Sequence, residues 1–192
     1  MRGRKRIKFM PKKTKANVGC GSVNFGPAWW HVDKKPYAHL DSNDIELKDV
    51  ADESLELVYA SHVIEYFDST EVVSLLRTWW KRLRFGGILR LAVPDFAVLA
   101  HLYAIKQASL SALLGPLYGK IPDVESGFMY HKMVYDRSAL ELVLEQSGFK
   151  NIRTWDWRVV EHGYIDDCSQ AYMPHMHKET GRLISLNLEA DK

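Results

Sequence analysis

Apolar residues along the chain fall into two kinds of pattern, and the order in which the two alternate predicts the fold. From Leu55 to Ala60 only Glu56 interrupts an apolar, β-prone run, the pattern of a strand covered on both faces. The segment Glu71 to Leu83 carries Val72, Leu75, Leu76, Trp79 and Leu83 at spacings of three and four, which gathers them on one buried face of a helix. Ser69 or Thr70 is placed to cap its start, and Gly86-Gly87 to stop it. Ile88 to Val93 is a second central strand, closed by Pro94. Shorter strands are predicted over Lys15 to Val18 and up to Asp33, on either side of the turn Gly19-Cys20-Gly21-Ser22. His101 to Lys120 is helical in pattern and broken at Gly115-Pro116, an insertion able to lie over a site. Asp136 caps a helix that buries Leu140, Val143 and Leu144 and ends at Gly148, and Ile152 to Trp157 and Leu183 to Leu188 are the last two strands. Strands and helices alternating in this way predict an α/β fold.

Composition narrows the class. The 192 residues, 46% of them apolar, suit a single domain with a core of its own, and no internal repeat or low-complexity linker marks a second one. Cys20 and Cys168 are too few and too far apart for a disulfide framework or a four-ligand zinc site, and are expected as reduced thiols of a cytoplasmic protein. The apolar stretch Ala108 to Gly119 carries Gly115 and Pro116 and falls short of the roughly 20 residues that span a bilayer, so no transmembrane segment is expected. No apolar h-region follows the basic N-terminus, so no signal peptide is expected either.

Charge is uneven. The first fifteen residues hold eight Lys and Arg and no acid, whereas the remainder has 18 basic against 24 acidic residues. The chain therefore reads as a basic arm over residues 1–14 on an acidic domain over 15–192. Such an arm suits nucleic acid, anionic lipid or an acidic glycan, or is a solvated terminus.

The turn Asn17-Val18-Gly19-Cys20-Gly21-Ser22, followed by Asp33, is the first candidate for chemistry. Glycines at a strand end let the backbone come close to a ligand, and a carboxylate at the end of the next strand can accept both hydroxyls of a ribose. The spacing from Gly21 to Asp33 is shorter than the roughly 20 residues of a dinucleotide fingerprint, and its third glycine is missing, which disfavours a pyrophosphate cofactor. An ordinary turn is the plain alternative.

Two further runs give this turn a context: Asp44-Ile45-Glu46-Leu47 continuing to Tyr59-Ala60-Ser61-His62-Val63-Ile64-Glu65-Tyr66, and Leu83-Arg84-Phe85-Gly86-Gly87 leading to Val93-Pro94-Asp95. Together with the glycine turn, and in this order, they resemble the class I S-adenosylmethionine-dependent methyltransferases. The likeness is greatest to the small methyltransferases often linked to glycan assembly. It runs on through His131-Lys132, Ser147-Gly148-Phe149, Asp166-Asp167-Cys168-Ser169 and Ile184-Ser185-Leu186-Asn187, and covers about residues 15 to 190. The resemblance implies a Rossmann-like α/β domain, with a mostly parallel seven-stranded sheet flanked by helices, that binds S-adenosyl-L-methionine. Asn17, Gly19, Cys20 and Gly21 would then lie under the methionine part of the cofactor, Asp33 on the ribose, Asp44 and Ile45 at the adenine edge, and Ser61 and His62 beside the sulfonium. Asp49, Glu56, Tyr66 and Phe85 depart from the residues usual in the family at their positions, and Tyr66 removes a second histidine from its helix.

Methyl transfer to a neutral hydroxyl needs a base, and imidazole is best matched to that task near neutral pH. His62 and His131 are the candidates, with Asp166 and Asp167 to orient a histidine or the acceptor. His31, His39 and His101 read as surface or packing residues, and His175 with His177 lacks a third metal ligand. Trp29 and Trp30 can stack on a sugar or base, one of them belonging to the core. The reading reached is an O-directed methyltransferase of a sugar, glycan or small hydroxyl acceptor, of undefined oligomeric state. A nucleic-acid methyltransferase that uses the arm, and a non-catalytic cofactor- or partner-binding module, are the competing readings.

Overall fold

The structure, a computed structural model, describes residues 12–123 and 127–192; residues 1–11, which hold most of the basic arm, and 124–126 lie outside the described residues. The chain begins with β1 (Lys15–Val18), β2 (Trp29–Val32) and β3 (Leu55–Ser61), followed by α1 (Ser69–Arg82) and β4 (Leu83–Pro94). An insertion of α2 (Phe96–Ala104), α3 (Leu110–Tyr118) and a small hairpin of β5 (Ile121–Asp123) with β6 (Gly127–Met129) comes next. The C-terminal part comprises α4 (Arg137–Gln146), β7 (Lys150–Thr154), the short pair β8 (Tyr172–Met173) and β9 (Arg182–Leu183), and β10 (Ser185–Asp191).

The main sheet has the order β2-β1-β3-β4-β10-β7, parallel from β2 to β4, with β10 antiparallel to both its neighbours. It has six strands among the described residues, where seven were expected. Beyond β2 the described residues add no further strand; the edge is met by a parallel bridge of Ser42 to Val32 and by Asp41 N–H, which donates to His31 O at 2.9 Å. Residues 33–44 carry Lys34, Lys35, Pro36 and Asp41 and no alternating apolar run, so they offer no face for a seventh strand to bury.

Strand β3 is covered on both sides, as its apolar run predicts. Val58 and Ala60 join the core under α1 and α4, while Leu57 and Tyr59 pack with Phe25, Trp29 and Trp155 on the opposite face. Helix α1 buries Val72, Leu75, Leu76 and Trp79, the stripe read from its spacing. Trp79 is wholly buried, and its indole N–H donates to Ile45 O at 2.7 Å, pinning the segment after Asp44 against the helix.

Local expectations were corrected at four places. Asp68, not Ser69 or Thr70, caps α1: its carboxylate accepts from the N–H groups of Thr70 and Glu71, and Glu71 returns a bond to Asp68 N–H. Gly86-Gly87 does not end that helix. The helix stops at Arg82 because Leu83 already pairs with Leu55, and the glycines fall where the β3–β4 register shifts. The insertion breaks at 105–109 rather than at Gly115-Pro116. Lys106, at φ +59°, closes α2, Ser109 caps α3, and Pro116 lies inside α3. The last strands are displaced by a few residues, β7 ending at Thr154 and β10 running on to Asp191.

Candidate functional site

The carboxyl ends of the parallel strands open into a cleft of 640 Å³, with the end of α3 and segment 167–171 as its far wall. The glycine turn after β1 forms its floor. Gly19 N–H and Cys20 N–H both donate to Val32 O, at 2.7 and 3.1 Å, which folds the turn against the end of β2. Gly19 and Gly21 have φ of +67° and +54°. A Cβ on Gly19 would run into the Val63 side chain, whereas a Cβ on Gly21 would meet only open space. One glycine is thus required by packing and the other leaves the cleft unobstructed.

Asp33 is bound into the same unit. Its Oδ2 accepts from Gly21 N–H and its Oδ1 from Lys35 N–H, both at 2.8 Å, leaving further lone pairs on each oxygen. A smaller hollow of 120 Å³ lies beside it, lined by Ile45, Val63, Phe67 and the β5–β6 hairpin. Asp44 stands at the next depression along, its carboxylate accepting from Glu46 N–H and Lys48 N–H, and Ile45 faces both hollows. Asn17, Gly19, Cys20, Gly21, Ser61 and His62 all line the main cleft, and Asp33 and Ile45 line its neighbour. Burial, followed by the nearby Asp33, raises the Cys20 thiol to about 12 and keeps it protonated.

The two candidate histidines flank one buried carboxyl. His62 follows β3 at φ +54°, a left-handed conformation uncommon for a side chain of its size. His131 follows the hairpin, and its ring occupies the space a Cβ on Gly119 would need. Between the rings stands Glu65, its side chain 1% exposed, with Oε1 at 3.6 Å from His62 Nδ1 and 3.8 Å from His131 Nε2. Neither carboxyl oxygen of Glu65 has a hydrogen-bond partner among the described residues, and neither does His62 Nε2. Burial raises the Glu65 carboxyl to about 8. Burial, with the neighbouring His131, lowers His62 to about 3, and burial lowers His131 as well. His131 Nδ1 lies 3.1 Å from Pro116 O, a bond in which only the ring nitrogen can donate, so the neutral ring turns a bare Nε2 toward Glu65.

The sequence reading does not single out Glu65, which lines neither hollow but stands buried between the two histidines. Its signal was the three-residue step from His62 to Glu65 at the end of a buried strand, a spacing that returns a side chain to the same side of a tight turn. Tyr66 ties the insertion to the cleft: its hydroxyl donates to Gly119 O at 2.6 Å and its ring meets His131 edge-on. Asp167 lines the cleft, but its carboxylate is engaged by the Tyr59 hydroxyl at 2.6 Å and by Ser169 N–H. Asp166 pairs with Lys178 at 2.9 Å and does not line the cleft. Trp29 and Trp30 lie away from it as well, Trp29 in the core and Trp30 beside Lys13. Among the described residues no group of three His, Cys, Asp or Glu side chains is set to hold a metal ion, and no helix is long and apolar enough to cross a membrane.

No family model and no curated protein matches the chain. Solved structures do. A SAM-dependent methyltransferase from Archaeoglobus fulgidus aligns with a TM-score of 0.56 at 15% identity, over 96% of this chain and 88% of that one. One from Methanosarcina mazei aligns with a TM-score of 0.56 at 14% identity, over 95% and 94% of the two chains. A third, from Mesorhizobium loti, gives 0.52 at 16%, over 95% and 92%. The fold is that of SAM-dependent methyltransferases.

Proposed function

We propose that this chain is an S-adenosylmethionine-dependent methyltransferase that methylates a hydroxyl of a sugar, glycan or other small acceptor. The observation that carries the reading is the gathering of Asn17, the Gly19 to Gly21 turn, Ser61 and His62 on one cleft, with Asp33 bound to that turn, on a fold shared with enzymes of this cofactor. The residues fit the cofactor. Gly21 keeps its side of the cleft open, Asp33 retains acceptor capacity for ribose hydroxyls, and Ile45 offers an apolar wall for a base.

When bound, S-adenosylmethionine supplies a methyl carbon activated by a positive sulfur. The chain's own residues have to align the acceptor at about 3 to 3.5 Å from that carbon and take up the proton the hydroxyl releases. His62, which lines the cleft, is the residue assigned to receive it. The eight basic residues among the first fifteen favour RNA as the second acceptor class to test.

The test is release of S-adenosylhomocysteine over a panel of sugars, glycans and RNA. Turnover is expected with a hydroxyl acceptor, falling roughly 100-fold in His62→Ala while cofactor affinity stays within a few-fold. Absence of turnover over the whole panel, with S-adenosylmethionine bound, would favour the non-catalytic reading.

A further inference from the structure

The two helices of the insertion have almost no polar surface. His101 is the only acidic or basic residue of α2, and α3 has none from Leu110 to Tyr118. A helix that is apolar on all sides belongs in a core or against lipid. Yet only Leu99 and Leu102 of α2 and Leu113 of α3 are buried, where they pack together with Ile184. On α3 the exposed residues Leu110, Leu114 and Tyr118 follow one another at steps of four, which sets them in one line along the helix. They are 56, 46 and 57% exposed. Tyr103 and Ile105 before the helix, and Phe128 and Tyr130 on the hairpin after it, are half-exposed as well. The insertion thus holds most of the large apolar side chains that stand exposed among the described residues.

Charge identifies what covers this face. From Phe96 to Pro122 there is no Asp or Glu, while Lys106 precedes α3 and Lys120 follows it. All 24 acidic residues of the chain lie outside this stretch, so it is a cationic island on an acidic domain. Lys120 Nζ is bedded on aromatic rings, 4.0 Å from the centre of Phe128 and 5.9 Å from that of Tyr130. Leucines and tyrosines flanked by lysines match a lipid interface: the apolar side chains enter the acyl boundary, the tyrosines lie at headgroup level, and the lysines reach anionic headgroups. A face that binds protein is instead marked by Arg, Trp and Met. None of these three residue types occurs between Phe96 and Pro122.

We propose that α3 and its flanking residues dock the domain on an anionic lipid surface, and that the acceptor hydroxyl belongs to a sugar carried on a lipid headgroup. The acceptor rests on the methyltransferase reading, and the docking does not. Gly115, Pro116, Gly119 and Lys120 line the cleft at the C-terminal end of α3, whereas Leu110, Leu114 and Tyr118 are not part of its lining. A helix with its side chains is about 10 to 12 Å across, so a bilayer against the Leu110 line brings headgroups within roughly that distance of the cleft wall. No helix among the described residues is long and apolar enough to cross a membrane, so attachment by this face is peripheral, with α3 lying in the interface.

The experiment is flotation of the full chain with vesicles of phosphatidylcholine, alone and mixed with phosphatidylglycerol, which depends on neither cofactor nor acceptor. The chain is expected to float with the mixed vesicles and less with phosphatidylcholine alone. Leu110→Asp with Leu114→Asp should lower partitioning at least about tenfold, and Lys106→Gln, the milder variant, roughly fivefold on the anionic vesicles only. Both should bind S-adenosylhomocysteine as the unmodified chain does, since none of the three residues lines the cleft. Failure of the chain to float overturns the docking. So does flotation that the double variant leaves intact, which would assign the lipid contact to the basic arm. A dimer seen by light scattering that the double variant dissociates overturns it too, making the face an interface between copies. Flotation without S-adenosylhomocysteine binding would leave the docking standing and remove the methyltransferase reading. With both in place, a sugar on a vesicle-borne headgroup should be methylated at least about tenfold faster than the same sugar free in solution, and equal rates overturn the acceptor assignment.

Discussion

Replacing Gly19 and Gly21 by alanine separates packing from ligand access in the turn under the cleft. Both glycines have left-handed backbone, which costs an L-residue roughly 1 to 2 kcal/mol, offset by about 0.4 to 1 kcal/mol from the stiffer unfolded chain. Only Gly19→Ala adds a collision, because its Cβ would strike the Cγ2 methyl of the buried Val63, and overpacking of that kind costs about 1 to 3 kcal/mol. The net expectation is about 1 to 4.5 kcal/mol for Gly19→Ala and about 0 to 1.5 kcal/mol for Gly21→Ala. Urea unfolding of both variants, and of Gly19→Ala in a Val63→Ala background, measures the terms apart. The cycle should return a favourable coupling of about 1 to 3 kcal/mol, since Val63→Ala removes the struck methyl. Gly21→Ala should instead weaken S-adenosylhomocysteine binding with little loss of stability, its methyl projecting into the cleft. Equal costs for the two glycines, or an additive cycle, would refute the assignment of Gly19 to packing.

Two further outcomes follow from charge. Glu65, raised from 4.5 to about 8, binds more protons folded than unfolded between those values, so its contribution to stability is lost as pH rises through that window. His62, lowered from 6.5 to about 3, and His162, lowered to about 4 by burial and then Arg90, do the opposite and lose stability as pH falls below 6.5. Thermal midpoints should therefore peak near pH 6.5 and decline toward pH 8, and Glu65→Gln should abolish the alkaline decline; a decline of the same slope in the variant contradicts the buried-acid assignment. Deleting residues 1–11 should weaken retention on RNA and flatten its salt dependence, and equal retention of both forms across a salt series would leave the arm as a solvated terminus.

What the sequence revealed and what it concealed follow from how local each determinant is. The apolar run of β3, the stripe of α1 and the turn from Gly19 to Gly21 with Asp33 are written within short windows, and each stands in the structure where its pattern indicates. Strand count was less legible, because residues 33–44 carry no pattern of their own and the expected seventh strand came from resemblance. The break after α2 was hidden because Lys106 takes a left-handed conformation that its residue type does not advertise. Asp68 was overlooked beside two adjacent hydroxyl residues equally able to cap. The position of Glu65 between the two histidines is hidden by range. Its burial depends on segment 131–133, more than sixty residues away, and a glutamate beside a tyrosine reads locally as surface.

The central claim, that the cleft binds S-adenosylmethionine through the turn and Asp33, is most directly tested by calorimetric titration of S-adenosylhomocysteine into the chain and into Asp33→Ala. Asp33 Oδ2 also holds Gly21 N–H, so removing the carboxylate takes away the proposed ribose acceptor and loosens the turn together. Measurable binding is predicted for the chain, weakened by roughly 2 to 4 kcal/mol in the variant, at about 1 to 2 kcal/mol for each of two hydrogen bonds to charge. Absence of binding to the chain, or an affinity unchanged by Asp33→Ala, would contradict the account.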